Sequence, residues 1–294
     1  GDGTAAAAAL KQGAPPRRIV ALPGRLNGFD IYALAPTAFD RLERALGIQP
    51  VERQLSNGVR LLGASAPSSL PGQLASAWQV GPRIDPTTTI FNQLVDLDGR
   101  QWFDLDAVPL PAADWRPGDR IIEFAQAALP RAAPRQAYWW STGMYVDNGR
   151  RVPFADGEVQ IRLARIAGGA QLPAASPATH LNALFGGSIR LDGYTLANGR
   201  LTLFWRDIQP VRIDYTVFVH AISGGGRLIA QHDAQPEQGR FPTSLWQAGE
   251  SVVDPIALTV PPGASLEIGL YDLQTGQRLK LADGSDHVAI EGRG

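Results

Sequence analysis

The segment Tyr215-Thr-Val-Phe-Val-His-Ala221 has the composition of a β-strand. It is rich in β-branched and aromatic residues, and runs of this length that are apolar or alternate in polarity are typical of strands. The segments Leu201-Thr-Leu-Phe-Trp205 and Leu266-Glu-Ile-Gly-Leu-Tyr271 fit the same description. We therefore expect this part of the chain to fold as β-structure.

Turn sequences separate the expected strands. Asn198-Gly199 and Asp283-Gly284 have the residues that supply the positive φ of tight hairpins, and Asp98-Gly99 and Asp156-Gly157 do the same nearer the N-terminus. About seven or eight short strands in about 100 residues, without a helical period, predict an antiparallel sandwich of two sheets. The fold class is therefore all-β, of the jelly-roll or immunoglobulin-like kind.

The sequence repeats itself with a period of about 130 residues. The matches keep their order along the chain, and only loop-sized gaps separate them. We infer an internal duplication that produces two tandem sandwiches. The matching segments include Asn57–Gly63 with Gly187–Gly193, Gln73–Trp78 with Arg200–Trp205, Trp115–Asp119 with Trp246–Glu250, and Gly149–Gly157 with Gly276–Gly284.

The duplication and the changes in composition divide the chain. One helix is predicted in the lead-in, between Thr37 as its cap and Gly47 as its left-handed stop. Short strands are expected there at 19–23 and 30–34. The predicted organisation is a flexible tail over 1–16, a strand and helix lead-in over 17–50, a first sandwich over 51–166, a small-residue linker over 167–183 and a second sandwich over 184–294.

Composition excludes several classes of protein. The chain has 294 residues, of which 44% are hydrophobic, enough to bury two cores. A net charge of −1 without a long basic run argues against nucleic-acid binding. Because the chain has no cysteine, it has no disulfide, thiolate metal site or cysteine nucleophile. No apolar run reaches the roughly 20 residues of a transmembrane helix, and no intact signal peptide is predicted.

Residue types that occur at the same place in both copies are most simply explained by the shared fold. We interpret the shared tryptophans as residues of the sandwich cores and corners. The shared arginine and tyrosine receive the same interpretation. These pairs are Trp78 with Trp205, Trp115 with Trp246, Arg60 with Arg190, and Tyr145 with Tyr271.

Trp102 and Trp139 have no tryptophan counterpart and are the leading candidates for a binding site. Strand alternation places Trp139 outward and its neighbour Trp140 inward. The same alternation places Trp102 on one face with Asp104 and Asp106. A sugar-binding sheet stacks an indole on the apolar face of a pyranose beside carboxylates that hydrogen bond to the hydroxyls. The alternative is that these tryptophans cover an inter-domain or partner surface.

The histidines give a second set of candidates. His220 matches Gln93 and His232 matches Leu105, so neither histidine is shared between the copies. We take His220, His232 and Asp233 as candidate binding residues, while an ordinary strand histidine is the simpler explanation of the first two. The histidines lack the spacing of metal-ligand motifs, so we expect no metal and no cofactor. No residue is assigned a catalytic role.

Several motifs of the second copy carry a family resemblance: Phe185-Gly-Gly-Ser-Ile-Arg-Leu-Asp-Gly-Tyr194, Gln231-His-Asp233, Pro242-Thr-Ser-Leu-Trp246 and Gly269-Leu-Tyr-Asp272. Together they resemble the β-sandwich module at the C-termini of bacterial membrane glycosyltransferases of the dolichyl-phosphate-mannose mannosyltransferase-like type. The segment Leu22–Tyr32 resembles the entry into such a tail. The first copy lacks the Gln-His-Asp triplet.

This resemblance implies a non-catalytic accessory region outside the cytoplasmic membrane, in the periplasm or at the cell surface. Its partner would be a glycan, a glycolipid or a protein, and membrane association would come through a partner or a membrane region outside this sequence. Two alternatives stay open. One is a structural subunit or spacer whose exposed aromatic residues bury a protein partner. The other is a glycan hydrolase that uses an acidic residue with His232.

Overall fold

A computed structural model of the chain describes residues 18–20, 29–31, 36–106, 111–147, 149–170 and 176–291. The expected tail over 1–16 lies outside these residues. The described residues divide into two compact units. The first unit comprises the chain up to Val95 together with Gln101–Leu129 and Trp139–Arg165. The second comprises Asp96–Arg100, Pro130–Tyr138 and the chain from Ile166 onward.

The lead-in contains a hairpin and a helix. Strands β1 (Arg18–Val20) and β2 (Phe29–Ile31) pair antiparallel, and helix α1 (Pro36–Ala45) follows. The expected cap at Thr37 is wrong, because the helix already begins at Pro36, a residue that is favoured at the first helical position. Gly47 has a φ of 67°, as expected for a left-handed stop. No helix among the described residues is long and apolar enough to cross a membrane.

The first unit is a sandwich of two antiparallel sheets. One sheet contains, in spatial order, β3 (Gln49–Gln54), β4 (Arg60–Ser65), β5 (Gly72–Gln79) and β8 (Arg120–Ala127). The other contains, in spatial order, β7 (Gln101–Leu105), β6 (Thr89–Val95), β9 (Gln136–Val146) and β10 (Arg150–Val152), with β11 (Ile161–Gly168) also paired to β9. Strand β9 begins among residues of the second unit, and β11 ends among them.

The second unit repeats this topology. One sheet contains β12 (Thr179–Phe185), β13 (Ile189–Ala197), β14 (Arg200–Asp207) and β17 (Ser251–Thr259). The other contains β16 (Leu228–Ala234), β15 (Tyr215–Ile222), β18 (Ser265–Asp272) and β19 (Val288–Glu291). The strands enter the two sheets in the same order as in the first unit, except that the second sheet of the first unit has one strand more. The chain is therefore an all-β pair of tandem sandwiches, as the duplication predicts, and the exact domain bounds stay a prediction.

The shared tryptophans lie in the cores. Trp78 and Trp205 are 0% exposed, and Trp115 and Trp246 are buried behind a short 3₁₀ turn in each copy. This confirms that they are core and corner residues. In each unit, apolar side chains of both sheets meet in the interior, so burial of apolar surface holds the two sheets face to face.

The two interiors differ in polarity. In the second unit, the apolar cluster includes Leu203, Val219 and Ile268 from the central strands. In the first unit, the matching positions are the polar residues Ser76, Asn92 and Thr142, all buried. The apolar cluster of the first unit is correspondingly smaller.

Candidate functional site

The outer face of the β7–β6–β9 sheet carries most of the candidate residues of the first unit. Gln93 pairs with Asp104 on one side and with Ser141 on the other, so the three residues form a row across the sheet. Gln93 Nε2 donates a hydrogen bond to Asp104 Oδ1 at 3.2 Å. Because its neighbours Asn92 and Leu94 are buried in the interior, Gln93 lies on the outer side.

Trp139 lies on the same outer face, two residues before Ser141 on β9. Its side chain is partly exposed, and the guanidinium carbon of Arg162 lies 5.5 Å from the ring centre, within cation–π range. Trp140 is buried, and its Nε1 donates to Asn92 Oδ1 at 2.9 Å. The alternation predicted from the sequence, with Trp139 outward and Trp140 inward, is confirmed.

The pairing of β6 with β7 does not carry the expected alternation through Trp102. The β6–β7 register shifts between Leu94 and Val95, which leaves Trp102 as the extra residue of a β-bulge. A bulge interrupts the strict alternation of faces. The expected common face of Trp102 with Asp104 and Asp106 therefore does not follow from the pairing. Trp102 is partly buried.

A second group of residues lies next to this row and is built around a ring on a glycine. A Cβ atom on Gly143 would lie 2.7 Å from Phe91 Cε1, so the Phe91 ring occupies the space above the glycine. The guanidinium carbon of Arg151 lies 3.7 Å from the ring centre of Phe91. The hydroxyl of Tyr145 donates to Asp106 Oδ2 at 3.1 Å. We call these five residues the ring cluster of the first unit.

The second unit contains the same ring cluster. A Cβ atom on Gly269 would lie 2.5 Å from Phe218 Cζ, and the guanidinium carbon of Arg278 lies 4.2 Å from that ring centre. Burial raises the pKa of the Tyr271 hydroxyl and the charge of Asp233 raises it further, as burial and Asp106 do for Tyr145 in the first unit. Because all five residue types recur at matching positions, the shared fold explains them. Asp106 and Asp233 are therefore first of all parts of this scaffold.

The outer face of the first unit contains two groups whose pKa values are raised by burial. Burial, and after it the charge of neighbouring Asp104, raises the pKa of Asp106 above the usual value for an aspartate. Burial likewise raises the pKa of the Tyr145 hydroxyl. Arg151 also lines a cleft of about 410 Å³, together with Arg83 and Asp85. The face thus presents both acidic and basic groups beside an aromatic ring.

The row beside the ring cluster differs between the units. Where the first unit has Gln93, Asp104 and Ser141, the second has His220, Gln231 and Glu267. His220 Nε2 lies 3.8 Å from Asp233 Oδ2. The duplication thus keeps the scaffold and changes the polar groups around it, which is where we expect a difference in ligand.

His232 lies apart from the other candidates. It pairs with Val219 of the core and so takes the inner side of edge strand β16, where burial lowers its pKa. Asp233 takes the outer side, opposite Phe218. The two side chains therefore point to opposite sides of the sheet, so Asp233 is not the acidic partner of His232 in the hydrolase alternative.

Two buried carboxylates escaped the sequence analysis. Glu123 on β8 and Asp254 on β17 occupy matching positions of the two units. Glu123 accepts a hydrogen bond from Asn92 Nδ2 at 2.9 Å, and burial raises its pKa to about 8. Asp254 accepts from Trp205 Nε1 at 3.3 Å and from the backbone N–H of Glu237 at 2.8 Å, and burial raises its pKa to about 6. In the sequence, each of these two residues is a single acidic residue on an otherwise apolar strand face, and this pattern could have identified them.

These groups suit non-covalent recognition. Hydrogen-bonding side chains and a partly exposed indole lie together on one sheet face of the first unit, and a histidine lies beside a carboxylate on the matching face of the second. Among the described residues, no three histidine or acidic side chains are grouped as a metal site would require.

Comparison of the sequence with protein-family models and with curated proteins finds no match.

Proposed function

We propose that the chain is a non-catalytic tandem binding module whose first unit recognises carbohydrate on the outer face of the β7–β6–β9 sheet. The residues that make up this surface are Trp139, Gln93 and Asp104, flanked by Arg162 and the ring cluster. Ser141 belongs to the same row but is 0% exposed, so it is not part of the binding surface. Trp102 at the bulge is the second candidate aromatic contact.

The chemistry of these groups fits a pyranose. A sugar ring has an apolar face that stacks on an indole and a rim of hydroxyls that needs both donors and acceptors. Asp104 supplies acceptors, and Gln93 and Arg162 supply donors. Gln93 and Asp104 already hydrogen bond to each other, so less rotamer entropy is lost when a ligand binds.

One observation carries the proposal: Trp139 is a partly exposed indole placed on a scaffold that is otherwise shared between the units. Its counterpart in the second unit is Ser265, which has no aromatic surface. A tryptophan required by the fold would be expected in both copies, as Trp78 and Trp205 are. Because the indole occurs at only one of the two matching positions, we interpret Trp139 as a ligand contact.

The test is a titration of the whole chain with soluble hexose polymers of different linkage, followed by tryptophan fluorescence. We expect at least one glycan to bind saturably and Trp139→Ala to weaken that binding about tenfold or more, because stacked aromatic contacts dominate small interfaces. Ser265→Ala is the matched control and should leave the affinity unchanged. Circular dichroism verifies that each variant is folded. Equal affinities of Trp139→Ala and the parent chain would refute the assignment.

We place this binding activity outside the cytoplasmic membrane, as an accessory region associated with a membrane glycosyltransferase. The support is the sequence resemblance of the second copy, including the Gln231-His-Asp233 motif. Membrane fractionation and the intact mass of the native protein test this placement. We expect a membrane-bound species, either larger than 31.5 kDa or in complex with a membrane protein. A free 31.5 kDa species without such a partner would contradict it.

A second candidate function is an assembly subunit or spacer. It is favoured by β16, which is an edge of its sheet among the described strands and carries the exposed side chains of Leu228 and Ile229. Exposed edge strands with apolar side chains are pairing sites for another chain. A monodisperse monomer at high concentration, with no co-purifying protein, would count against this function.

A further inference from the structure

The second unit has a cleft on a sheet face that the proposed sugar site does not use. It lies on the outer face of the β12–β13–β14–β17 sheet and has a volume of about 260 Å³. This volume is below the roughly 300 Å³ at the lower end for drug-sized ligands, so the cleft suits a small molecule or a single chemical group. The side chains that define it are His180, Asn182, Arg190, Asp192, Phe204 and Arg206.

One aspartate fixes two arginines in this cleft. Arg190 Nε donates to Asp192 Oδ1 at 2.6 Å, and Arg206 Nε donates to Asp192 Oδ2 at 2.7 Å. Arg190 and Arg206 also face each other across β13 and β14. Their guanidinium groups are thus held side by side before any ligand arrives, which removes an entropic cost of binding.

Donor groups remain after these contacts are made. The terminal amino groups of Arg190 have no hydrogen-bond partner among the described residues, and Arg206 Nη1 has only a long contact of 3.4 Å to the carbonyl of Gly249. Both arginine side chains are about one-third exposed, at 34%. Two arginines against one aspartate leave a net positive charge, and Phe204 forms an apolar floor that is 8% exposed.

The first unit shows that the fold does not require this arrangement. Arg60 matches Arg190, but Leu62 stands in place of Asp192 and Gln79 in place of Arg206. Arg60 donates a 3.4 Å hydrogen bond to Gln79, and its guanidinium lies 4.0 Å from the carboxylate of Glu52. The sequence predicts that the shared arginine has the same role in both copies. In the structure, Arg190 instead has different hydrogen-bond partners from Arg60.

In the first unit, helix α1 covers the sheet at the place where the described residues of the second unit leave a cleft. Arg120, at the position that matches Ser251 of the cleft, binds Asp40 and Glu43 of helix α1 at 2.6 Å each. Its guanidinium carbon lies 4.1 Å from the ring centre of Phe39. No described element of the second unit takes the place of this helix.

We infer that the cleft of the second unit is a binding site for an oxyanion, a phosphate, sulfate or carboxylate group, on a small molecule. The paired guanidinium groups supply donors to the anion, since arginine forks match the geometry of these groups. His180 and Asn182 supply further hydrogen bonds from the adjoining strand, and the Phe204 ring provides the apolar floor. The site goes beyond the proposed sugar-binding function and lies in the other unit.

The test is an NMR titration of the whole chain at constant ionic strength with inorganic phosphate, sulfate and acetate, and with glucose as a neutral probe. We expect saturable shifts of the backbone amides of Arg190 and Arg206 with at least one of the anions and none with glucose. The anion that binds most tightly identifies the chemical class. An absence of saturable shifts with all three anions would overturn the inference.

Variants then assign the binding to the arginine pair. Arg206→Gln should weaken binding at least tenfold. Arg190→Lys, which keeps the ion pair with Asp192 and so protects the fold, should weaken it severalfold because a lysine loses the fork geometry. Arg60→Gln is the matched control and should leave it unchanged. Equal losses in Arg60→Gln and Arg206→Gln would indicate unspecific charge attraction and refute the site. Neither result bears on Trp139, so the two proposals fail separately.

Discussion

Asp207 is a buried aspartate at a position where the first unit has an apolar residue. It is 0% exposed, and neither of its carboxylate oxygens has a hydrogen-bond partner among the described residues. Burial, and after it the charge of Glu250, raises its pKa to about 6. The matching residue of the first unit is Val80. In both units a glycine N–H donates to the carbonyl of this residue, from Gly118 at 2.9 Å and from Gly249 at 2.7 Å.

We expect Asp207→Val to stabilise the second unit. The substitution removes a buried, unpartnered carboxylate and restores the residue that the first unit uses, which predicts a gain of about 1–3 kcal/mol in the free energy of unfolding. The reverse change, Val80→Asp, should destabilise the first unit by a similar or larger amount. Urea unfolding near pH 7.5, followed by circular dichroism, measures both. A loss of stability in Asp207→Val would show that the carboxylate has a stabilising contact.

Among the strands, β6 and β9 depend on the ring cluster. The Phe91 ring fills the space above Gly143, where a Cβ atom would lie 2.7 Å from the ring and 3.1 Å from the carbonyl oxygen of Val159. Gly143→Ala should therefore destabilise the first unit by about 1–3 kcal/mol. Phe91→Leu in the same chain should recover part of this loss because the smaller side chain makes room. Thermal unfolding of the single and double variants checks this, and additive effects would contradict the proposed clash.

The sequence predicts the elements better than their details. Alternation in β9 correctly assigns Trp139 and Trp140 to opposite faces, because side chains in a regular strand alternate strictly. The same reasoning does not assign a face to Trp102, since a bulge inserts one residue there and the position of a bulge depends on the partner strand. Helix-capping preferences place the start of the helix incorrectly at Thr37, because the helix begins at Pro36, one residue earlier. Local patterns thus predict strand identity, while register and helix boundaries need the paired structure.

The site was predicted only in part for a related reason. Trp139 is visible from the sequence because the second copy has no tryptophan at its position, and Asp104 because its spacing from Trp102 suggests a shared face. The cleft of the second unit brings Arg206 beside Arg190 through the pairing of two strands, and no short motif encodes that contact. Glu123 was missed because its burial depends on the facing sheet and on Asn92, 31 residues away in the chain.

Across the two units, buried carboxylates make stability depend on pH. The pKa is raised to about 8 for Glu123, about 7 for Glu237 and about 6 for Asp254, in each case mainly by burial. Each folded-state pKa lies above the ordinary value near 4, so folding takes up protons between these values. These groups therefore favour the folded state most below about pH 4, where both states are protonated, and their contribution is lost as the pH rises from about 4 to 8.

We expect the midpoint of urea unfolding to fall between pH 5 and pH 8, and Glu123→Gln to reduce that fall for the first unit. A glutamine keeps the acceptor for Asn92 and has no charge to bury, so its gain over the parent is on the order of 3 kcal/mol at pH 7. Glu158→Gln, at an exposed glutamate of the same unit, is the control. An unchanged pH dependence in Glu123→Gln would contradict the assignment of a buried, protonated carboxyl.

The proposal that one copy of a duplicated scaffold has become a sugar site is tested most directly by the indole N–H signals in an NMR spectrum of the whole chain. Five of the seven tryptophans are buried in the cores: Trp78, Trp115, Trp140, Trp205 and Trp246. On addition of a binding glycan, we predict a saturable shift of the Trp139 signal, assigned with Trp139→Phe, while the Trp205 and Trp246 signals stay in place. If no glycan moves the Trp139 signal, or if only signals of the second unit move, the assignment of a sugar site to the first unit is contradicted.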